Sequence, residues 1–373
     1  MRSSSCAEGD ELVPRWIKTR QEEQEASFRI SRTVMREVME SREAIISLDA
    51  SSDERFELAN SISDFRIRSI IVAPLLDSDG EPIGAIQMDT LDSKRRFELG
   101  DLEILAGIAT QAGVAIENAQ LHETVVQQQR VAQDLELARN VQLAFLPSKD
   151  PGSNGYEFYH YYLPAEQIGG DYFDYIELAD GKLAVIVADV VGHGVAAAML
   201  MAKLSAETRF LLASQACPAA AITMLNQTIC GLGVEKFVTL LCLVIDPPSG
   251  RVDIVNAGHM APLWLKHDGT VEEPGDEAAG VPIGIIEDFT YELATIQLDP
   301  GDRLVLYTDG INEAPNKTGE MFGIARLQDL VRNGQGDLKS IGGRIMDDVH
   351  KFIVDTPQAD DMCLVIVGRS ALT

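Results

Sequence analysis

The spacing of apolar residues divides the chain into three regions with different expected structures. In the first region, up to about residue 99, apolar positions recur at helical spacing over residues 29–39 and are followed by short apolar runs. These runs have the length and composition of strands, and the turn residues between the last two predict a hairpin. The runs are Ala44–Leu48, Ser69–Leu76 and Ile83–Asp89. Such a pattern is typical of a small α+β domain.

The second region, residues 100–147, carries one long helical pattern. Apolar residues from Leu102 to Ala119 recur at spacings of three and four, the stripe becomes sparser beyond Leu121, and Pro147 ends the helix. A helix of ~45 residues with a narrow apolar seam is not stable alone. We therefore expect a homodimer in which this helix forms a parallel coiled coil, with Val131, Leu135 and Ala138 at the seam. The alternative is a helix that folds back on its own domains.

The third region, residues 148–373, mixes strand-like runs with helical patterns. The expected strands are Glu157–Tyr162, Lys182–Asp189, Phe237–Ile245, Arg251–Asn256, Leu263–Leu265, Arg303–Thr308 and Met362–Val367. The expected helices are Val195–Ser214, Pro218–Cys230, Gly323–Arg332 and Leu338–Val354. Runs of strands separated by helix pairs favour an α+β fold, in which helices cover antiparallel sheets, over a doubly wound parallel sheet.

The composition narrows the class of protein further. The net charge of −27 argues against binding to nucleic acid or to anionic lipid, because both need a basic surface. The longest apolar runs, near Phe237–Ile245 and Leu183–Val191, are shorter than the ~20 residues of a membrane helix. Residues 1–10 lack the apolar core of a secretory signal. The sequence therefore predicts a cytoplasmic protein with no nucleic-acid and no membrane partner. The five scattered cysteines are expected to be free thiols.

Aspartates beside small residues or at the ends of apolar runs are the strongest chemical signal. Asp189 and Asp309 end strand-like runs, Asp360 precedes one, and Asp171 follows Gly169-Gly170. A buried carboxylate is costly without a compensating cation, and no Lys or Arg lies nearby in the sequence. Oxygen ligands suit Mg²⁺ or Mn²⁺. Taken singly, an aspartate beside glycine often only caps a turn. Together they predict a hydrolase that uses two divalent ions to activate a water.

The motifs that contain these aspartates follow one another in a fixed order: Leu137–Gln142 with Leu146-Pro147, Gly169–Asp174, Ala188–Ala197, Asn256–His259, Pro282–Gly284, Leu306–Ala314 and Asp360–Met362. In this order and spacing, residues 135–368 resemble the SpoIIE-like branch of the metal-dependent protein phosphatases (PPM family). The resemblance implies an αββα sandwich with metal ions at one edge of two central sheets. It also implies hydrolysis of phosphoserine or phosphothreonine in a protein substrate.

The resemblance further implies which residues hold the metals. Asp189 bridges two ions, and the Val190 carbonyl adds a ligand to one of them. Asp309 and Asp360 complete the shell of the other ion, whereas Asp171 lies on the second-metal side, directly or through water.

Other residues in these motifs have less specific expected roles. Gly192 lets the backbone approach the metals closely, as a side chain there would not. Asp174 and Asp361 are candidates either for hydrogen-bonding the metal ligands or for turn formation. His193 follows the proposed bridging ligand and is a candidate general acid, since imidazole titrates near neutral pH. His259 is expected to shape a turn near the site.

The first region contains Ile30–Val34, Asp49-Ala50, Ile67–Ile70, Pro74-Leu75, Gly84–Ile86 and a helix near Asp101–Ala109. With these motifs it resembles a GAF domain, a small-molecule-sensing or dimerising fold. The resemblance covers the last two-thirds of such a domain, because the opening helix and the first strands expected before residue 28 are missing or much reduced. The expected organisation is a partial GAF-like domain at 1–99, a linker helix at 100–147 and a phosphatase domain at 148–373.

These observations favour a Mn²⁺- or Mg²⁺-dependent phosphatase in bacterial signalling, for which the resemblance implies an anti-sigma-factor antagonist as substrate. One alternative is a partner-binding protein that kept the fold without activity. A remote alternative is a diguanylate cyclase, because Gly169–Phe173 superficially resembles the catalytic loop of those enzymes.

Overall fold

The structure is a computed structural model that describes residues 2–8, 11–18, 32–48, 67–92, 94–152 and 155–370. The chain divides into two compact units, residues 1–131 and 132–373. The boundary falls inside a long helix that the sequence assigns to the linker.

The first unit is built on one antiparallel sheet covered by helices. The sheet has five strands in the order β2-β1-β5-β4-β3. Its strands are β1 (Arg2–Glu8), β2 (Glu11–Lys18), β3 (Ile45–Ser47), β4 (Ser69–Leu76) and β5 (Pro82–Thr90). Helix α1 (Arg32–Ser41) packs through Val34 and Val38 against Ile70 and Val72 of β4.

The opposite face of β4 packs against a second helix, α2 (Leu99–Leu143). Ile71 and Leu75 lie on this face with Leu105 and Ala109 of the helix. Successive side chains of β4 point to opposite faces of the sheet, so the first unit has two separate apolar layers, one on each face. Because the first turns of α2 are part of this packing, they belong to the first unit rather than to a free linker.

The predicted hairpin of β4 and β5 and the predicted strand β3 are confirmed. The helix predicted over 29–39 begins at Arg32, and residues 29–31 lie outside the described part of the chain. The expectation that the first strands before residue 28 are missing or much reduced was wrong, because β1 pairs with both β2 and β5. The same expectation for an opening helix concerns residues 19–31, which lie outside the described part of the chain. The serine-rich sequence of β1 has no apolar alternation, so its pairing left no signal in the sequence.

Helix α2 is fastened to the β4–β5 turn by two features. A Cβ on Gly113 would meet backbone atoms of Leu76, including its nitrogen at 2.8 Å, so only glycine permits this approach. The Glu117 carboxylate accepts hydrogen bonds from the Ser78 N–H and hydroxyl, both at 2.9 Å.

Among the described residues, α2 is also the helix that is long and apolar enough to cross a membrane, judged by length and composition. Its most apolar 18-residue window has a mean hydropathy of 1.3, and 17% of that window is buried. One such helix is weak evidence, because a helix that pairs with another protein helix has a similar composition. The absence of a membrane partner stays a prediction.

The second unit contains two antiparallel sheets of five strands each. The first sheet has the order β13-β10-β9-β8-β7 and consists of β7 (Tyr172–Glu177), β8 (Leu183–Val190), β9 (Val238–Asp246), β10 (Arg251–Ala257) and β13 (Ala294–Gln297). The second sheet has the order β12-β11-β14-β15-β6 and consists of β6 (Tyr156–Leu163), β11 (Leu263–Leu265), β12 (Val271–Glu272), β14 (Arg303–Tyr307) and β15 (Met362–Arg369).

Helices cover the outer faces of both sheets. On the first sheet lie α3 (Val195–Ser214) and α4 (Pro218–Cys230). On the second lie α6 (Ile324–Arg332) and α7 (Leu338–Phe352), while α5 (Asp309–Asn312) is a short turn of helix after β14. The two sheets share one core, and the alternation along β14 shows how they face each other. Leu304 and Leu306 join that core, whereas Val305 and Tyr307 pack against the outer helices.

The expected α+β class and αββα sandwich are therefore confirmed, as are the predicted bounds of α3 and α4. Three strands of the second unit, β7, β12 and β13, are not among the predicted ones.

Candidate active site

Two neighbouring strands of the first sheet bring Asp171 and Asp189 together. Asp171 directly precedes β7, Asp189 lies near the end of β8, and the register pairs Tyr172 with Ala188. A Cβ on Gly170 would lie 2.8 Å from the Val190 carbonyl oxygen, so glycine is required for the two segments to meet. The Val190 carbonyl is thereby directed at the segment that carries Asp171.

The second sheet supplies Asp309 and Asp360 in a similar way. Asp309 follows the end of β14, and Asp360 stands just before β15, which pairs with β14. Gly310 packs against the backbone of Asp360 and Asp361, where its Cβ would lie 3.3 Å from the Asp360 carbonyl carbon. Because the end of β14 pairs with the start of β15, these two aspartates lie at one edge of the sheet.

Two side chains then join the edges of the two sheets. The Thr308 hydroxyl donates to Asp171 Oδ2 at 2.7 Å and accepts the Cys363 N–H at 2.9 Å. The Asp361 carboxylate accepts the N–H groups of Ala165 at 2.8 Å and of Gly170 at 2.5 Å. Asp361 thus holds the loop before β7 in place through backbone hydrogen bonds.

The resulting cluster of carboxylates is electrostatically unfavourable without a cation. Burial, and then the charges of Asp309 and Asp360, raise the pKa of Asp189 to about 7. Burial, followed by the charge of Asp360, raises the pKa of Asp309 to about 6. Burial, followed by the charge of Asp189, raises the pKa of Asp171 well above its ordinary value. Each of these aspartates therefore senses the charge of at least one other.

The loop that follows Asp189 is shaped by glycine and held by a lysine. Gly192 has a φ of 82°, in the left-handed region that favours glycine. Lys236 Nζ donates to the Val191 carbonyl at 2.7 Å and lies 2.9 Å from the position of a Cβ on Gly192. The Val191 N–H donates to the Phe237 carbonyl at 3.0 Å. The loop is therefore fixed on the side of β9.

His193 lies on this loop, four residues after Asp189. Its side chain is 72% exposed, and its Nδ1 lies 2.9 Å from Glu166 Oε1. Glu166 belongs to the loop before β7, next to Ala165.

Asp174 lies away from the aspartate cluster. Its carboxylate accepts hydrogen bonds from the Tyr172 hydroxyl at 2.6 Å and from Arg209 Nη2 of α3 at 2.7 Å. These partners bind β7 to α3. The structure thus gives Asp174 a packing role and does not bring it to the other candidates.

His259 connects the two sheets below the site. Its Nε2 lies 3.0 Å from the Tyr307 carbonyl, and its Nδ1 lies 2.7 Å from the Thr239 hydroxyl. A carbonyl only accepts, so Nε2 carries the hydrogen and Nδ1 accepts from Thr239. Burial lowers the pKa of His259 to about 4, so the ring is neutral at neutral pH.

The oxygen donors of this cluster fit hard divalent cations. Asp171, Asp189, Asp309 and Asp360 offer carboxylates, and Val190 offers a carbonyl, which are the ligand types of Mg²⁺ and Mn²⁺. The raised pKa values identify negative charge that the nearby protein groups leave uncompensated. A divalent cation offsets such charge.

A tighter group of possible ligands occurs elsewhere in the described residues. Ligand atoms of His267, Asp299 and Asp302 all lie within 4.8 Å of one another, a closeness that no three of the strand-end aspartates reach. Asp302, however, is buried and already accepts hydrogen bonds from Trp264 Nε1 and from backbone N–H groups. These hydrogen bonds explain why the three residues lie close together: Asp302 holds the neighbouring loops in place. Ligands divided between two ions are expected to be more widely spaced.

Comparison with known proteins assigns the chain to a family. A family model described as Stage II sporulation protein E (SpoIIE) matches residues 179–370, more than half of the chain, and a GAF domain model matches residues 6–116. The chain therefore belongs to the SpoIIE family and carries a GAF domain before it.

Individual relatives support this assignment. Protein IcfG of Synechocystis sp. is 25% identical over 77% of this chain and 50% of its own length. Phosphoserine phosphatase RsbU of Bacillus subtilis is 25% identical over 72% of this chain and 79% of its own length. This chain thus spans half the length of IcfG. The SiaA-PP2C domain of Pseudomonas aeruginosa has the same fold, with a TM-score of 0.57 and 24% identity over 64% of this chain and 97% of that domain.

Sequence reasoning missed the residues that position the site. Thr308 and Gln142 stand inside recognised motifs but had no assigned partner. The buried Gln142 near the end of α2 donates through Nε2 to the Gly169 carbonyl at 2.6 Å and accepts the Gly169 N–H at 3.1 Å. Lys236 and Glu166 had no sequence signal at all, because each is an ordinary charged residue in a loop.

Proposed function

We propose that this chain is a metal-dependent phosphoserine/phosphothreonine protein phosphatase that uses two Mn²⁺ or Mg²⁺ ions. The observation that carries the proposal is the approach of Asp171, Asp189, Asp309 and Asp360 from two sheets, where burial and neighbouring carboxylates raise the pKa values of Asp171, Asp189 and Asp309. Membership of the SpoIIE family supports it, since PP2C-type phosphatases are metal-dependent.

These four aspartates and the Val190 carbonyl would hold the ions. When bound, two divalent ions supply an activated water and compensate the charge of the phosphate oxygens. Other side chains of this protein hold the segments that carry these ligands in place. Thr308 and Asp361 orient the segment of Asp171, and Lys236 fixes the loop that follows Val190. His193, on the same loop, would donate a proton to the departing seryl oxygen.

The proposed substrate is a phosphorylated signalling protein, and an anti-sigma-factor antagonist is the specific candidate. The name of RsbU as a phosphoserine phosphatase supports the phosphoserine part of this proposal. We also propose a cytoplasmic homodimer that pairs through α2, whose Val131 and Leu137 are exposed.

The diguanylate cyclase alternative has no support in this fold. Gly169-Gly170 lies between β6 and β7, which belong to different sheets, rather than in a hairpin turn.

The direct test is hydrolysis of p-nitrophenyl phosphate during a Mn²⁺ titration, with Asp189→Asn and Asp309→Asn run beside the wild type. Activity should appear with Mn²⁺, disappear with EDTA, and fall at least ~100-fold in both variants, because metal-dependent activation is lost. Asp299→Asn is the matched control, since Asp299 belongs to the other closely spaced group of possible ligands. It should retain activity.

Two results would contradict the proposal. If the wild type binds Mn²⁺ but hydrolyses no phosphate ester, the partner-binding alternative is favoured. If Asp299→Asn abolishes activity and Asp189→Asn does not, the ions are bound by the group of His267, Asp299 and Asp302 instead of by the four proposed aspartates.

A further inference from the structure

We infer that Glu166 is a positioning residue that orients His193 for proton transfer to the leaving group. This inference rests on the proposed phosphatase function and assigns a role to a glutamate outside the recognised motifs. The pair joins the loop before β7, which leads to Asp171, to the loop after β8, which follows Asp189.

The geometry of the pair indicates which nitrogen of the imidazole carries the hydrogen of their contact. Glu166 Oε1 lies 2.9 Å from His193 Nδ1. An ionised carboxylate only accepts hydrogen bonds, so Nδ1 carries the hydrogen of this contact. The ring atom left for exchange with a substrate is then Nε2. An acid or base whose ring is oriented by a carboxylate is the general arrangement of catalytic dyads and triads.

Both residues stand on backbone segments that other contacts hold in place. Glu166 follows Ala165, whose N–H donates to Asp361 at 2.8 Å. His193 follows the loop in which Lys236 binds the Val191 carbonyl at 2.7 Å. Glu166 also lies close to the helix start, with Oε2 3.7 Å from the position of a Cβ on Gly194. The pair therefore joins two fixed loops, one of which carries Asp171 and the other of which follows the strand that carries Asp189.

Exposure separates a positioning role from a stabilising one. The side chains of His193 and Glu166 are 72% and 48% exposed. Exposed polar contacts of this kind contribute little to stability, so this contact adds little to the fold. The same exposure leaves the imidazole accessible to a phosphoprotein.

The proposed step balances as follows. The phosphorus–oxygen bond to serine breaks while the oxygen of a water bonds to phosphorus. The proton on His193 Nε2 passes to the departing serine oxygen, and the water releases one proton to solvent. The imidazole then regains a proton from solvent. Glu166 accepts the hydrogen bond from Nδ1 throughout the step and takes no proton.

A comparison of leaving groups tests the inference. p-Nitrophenolate is a good leaving group that departs without a proton, whereas a seryl alkoxide needs one. The experiment measures kcat for p-nitrophenyl phosphate and for a phosphoserine peptide with Mn²⁺-loaded full-length protein. The variants are Glu166→Ala, His193→Gln and the double variant. His267→Gln is the matched control, because His267 Nδ1 also contacts a carboxylate, that of Asp302, and its side chain is 63% exposed.

We expect His193→Gln to lower kcat on the phosphopeptide ~100-fold, the lower range of general acid catalysis, and to leave kcat on p-nitrophenyl phosphate within about threefold. Glu166→Ala should lower kcat on the phosphopeptide about tenfold in the wild-type background and have no effect in the His193→Gln background, because it acts through His193. His267→Gln should leave both rates unchanged.

Other outcomes overturn the inference. Equal losses on both substrates in His193→Gln would exclude a leaving-group proton, and a Glu166→Ala effect that persists in the double variant would exclude action through His193. A wild type that hydrolyses the nitrophenyl ester but shows the same phosphopeptide rate in every variant also contradicts it, with the proposed function intact. A wild type that hydrolyses neither substrate contradicts the proposed function itself.

Discussion

At the scale of single residues, the candidate active site is a cluster of like charges fixed by hydrogen bonds from its surroundings. Asp189 comes from the first sheet, whereas Asp309 and Asp360 come from the second. Burial, followed by the charges of Asp309 and Asp360, raises the pKa of Asp189 to about 7. In the metal-free protein at neutral pH, this cluster opposes folding. Metal binding is expected to reverse that penalty.

Asp189→Asn should therefore raise the melting temperature of the metal-free protein by several degrees, since ~1 kcal/mol corresponds to about 2–4 °C for a unit of this size. It should also remove the further rise that Mn²⁺ gives the wild type. Thermal melts in EDTA and in Mn²⁺ measure both effects. A metal-free variant that melts below the wild type would show that the carboxylates do not repel one another.

Thr308 is the residue that binds Asp171 to the second sheet. Thr308→Val removes the hydroxyl that donates to Asp171 and accepts the Cys363 N–H, and leaves both buried groups unpaired. We expect a loss of ~1–3 kcal/mol in the free energy of unfolding and weaker Mn²⁺ binding. Thr308→Ser keeps the hydroxyl and should retain most of both. Urea unfolding and calorimetry measure these quantities, and equal behaviour of the two variants would contradict the role.

His259 gives a pH dependence of defined sign. Its pKa is about 4 in the folded protein and 6.5 in its ordinary state, so the unfolded chain binds more protons between these values. The contribution of His259 to stability is complete above pH 6.5 and is lost as the pH falls towards 4. The difference corresponds to ~3 kcal/mol at 1.36 kcal/mol per pH unit.

The buried aspartates with raised pKa values act in the opposite direction over this range, so the wild type must be compared with His259→Gln. We expect the stability of the wild type relative to that variant to fall between pH 6.5 and pH 4. Urea unfolding at several pH values measures the difference, and a constant difference would contradict a neutral buried imidazole.

At the scale of elements, the sequence predicted those whose ends carry local signals. Helix α3 begins after Gly194, and α4 begins with Pro218 at its first turn, so both were predicted with their observed bounds. Strand β7 was missed because it is buried along most of its length and contains Asp174, whose charge is satisfied by Arg209 of α3. Strand β1 was missed because its serines pair through backbone groups.

The candidate active site likewise contains residues that a local sequence signal indicates and residues that no such signal indicates. The aspartates were predicted as candidates because each stands beside small residues or at one end of an apolar run, a property of the local sequence. The partners that position them are distant: Thr308 lies 137 residues from Asp171, and Lys236 lies 45 residues from Val191. No local pattern marks such pairs, because they depend on how the two sheets meet.

Two glycines of α2 give a matched test of how this helix meets the β4–β5 turn. Gly113→Ala places a Cβ against the backbone of Leu76, whereas a Cβ on Gly107 meets no atom within 4 Å. We expect Gly113→Ala to destabilise the first unit by ~1–3 kcal/mol through overpacking. Gly107→Ala should stabilise it by up to ~1 kcal/mol, because alanine favours helix. Thermal unfolding of the full chain measures both, and stabilisation by both variants would contradict the close packing.

At the scale of the whole molecule, α2 is the element that belongs to both units. Its first half packs in the first unit, and Gln142 near its end binds the loop before Asp171 in the second. Much of the helix between these contacts is exposed, including the apolar residues Leu121, Val125 and Val131. An exposed apolar stripe on a helix of 45 residues favours pairing with another helix.

The dimer proposal predicts the effect of charge on that stripe. Val131→Glu combined with Leu135→Glu should convert a dimer into a monomer in sedimentation equilibrium, because charges at a coiled-coil seam are strongly unfavourable. Glu136→Gln, on the same turn, is a control that should leave the dimer intact. A wild type that sediments as a monomer at all concentrations would contradict pairing through α2.

The central claim is that aspartates from two sheets hold a pair of divalent ions, and anomalous scattering from crystals grown with Mn²⁺ tests it most directly. The account predicts two peaks ~3.5–4 Å apart, the separation of ions in two-metal sites, both in contact with Asp189. Peaks at His267, Asp299 and Asp302 instead, or no peak at the strand-end aspartates, would contradict it.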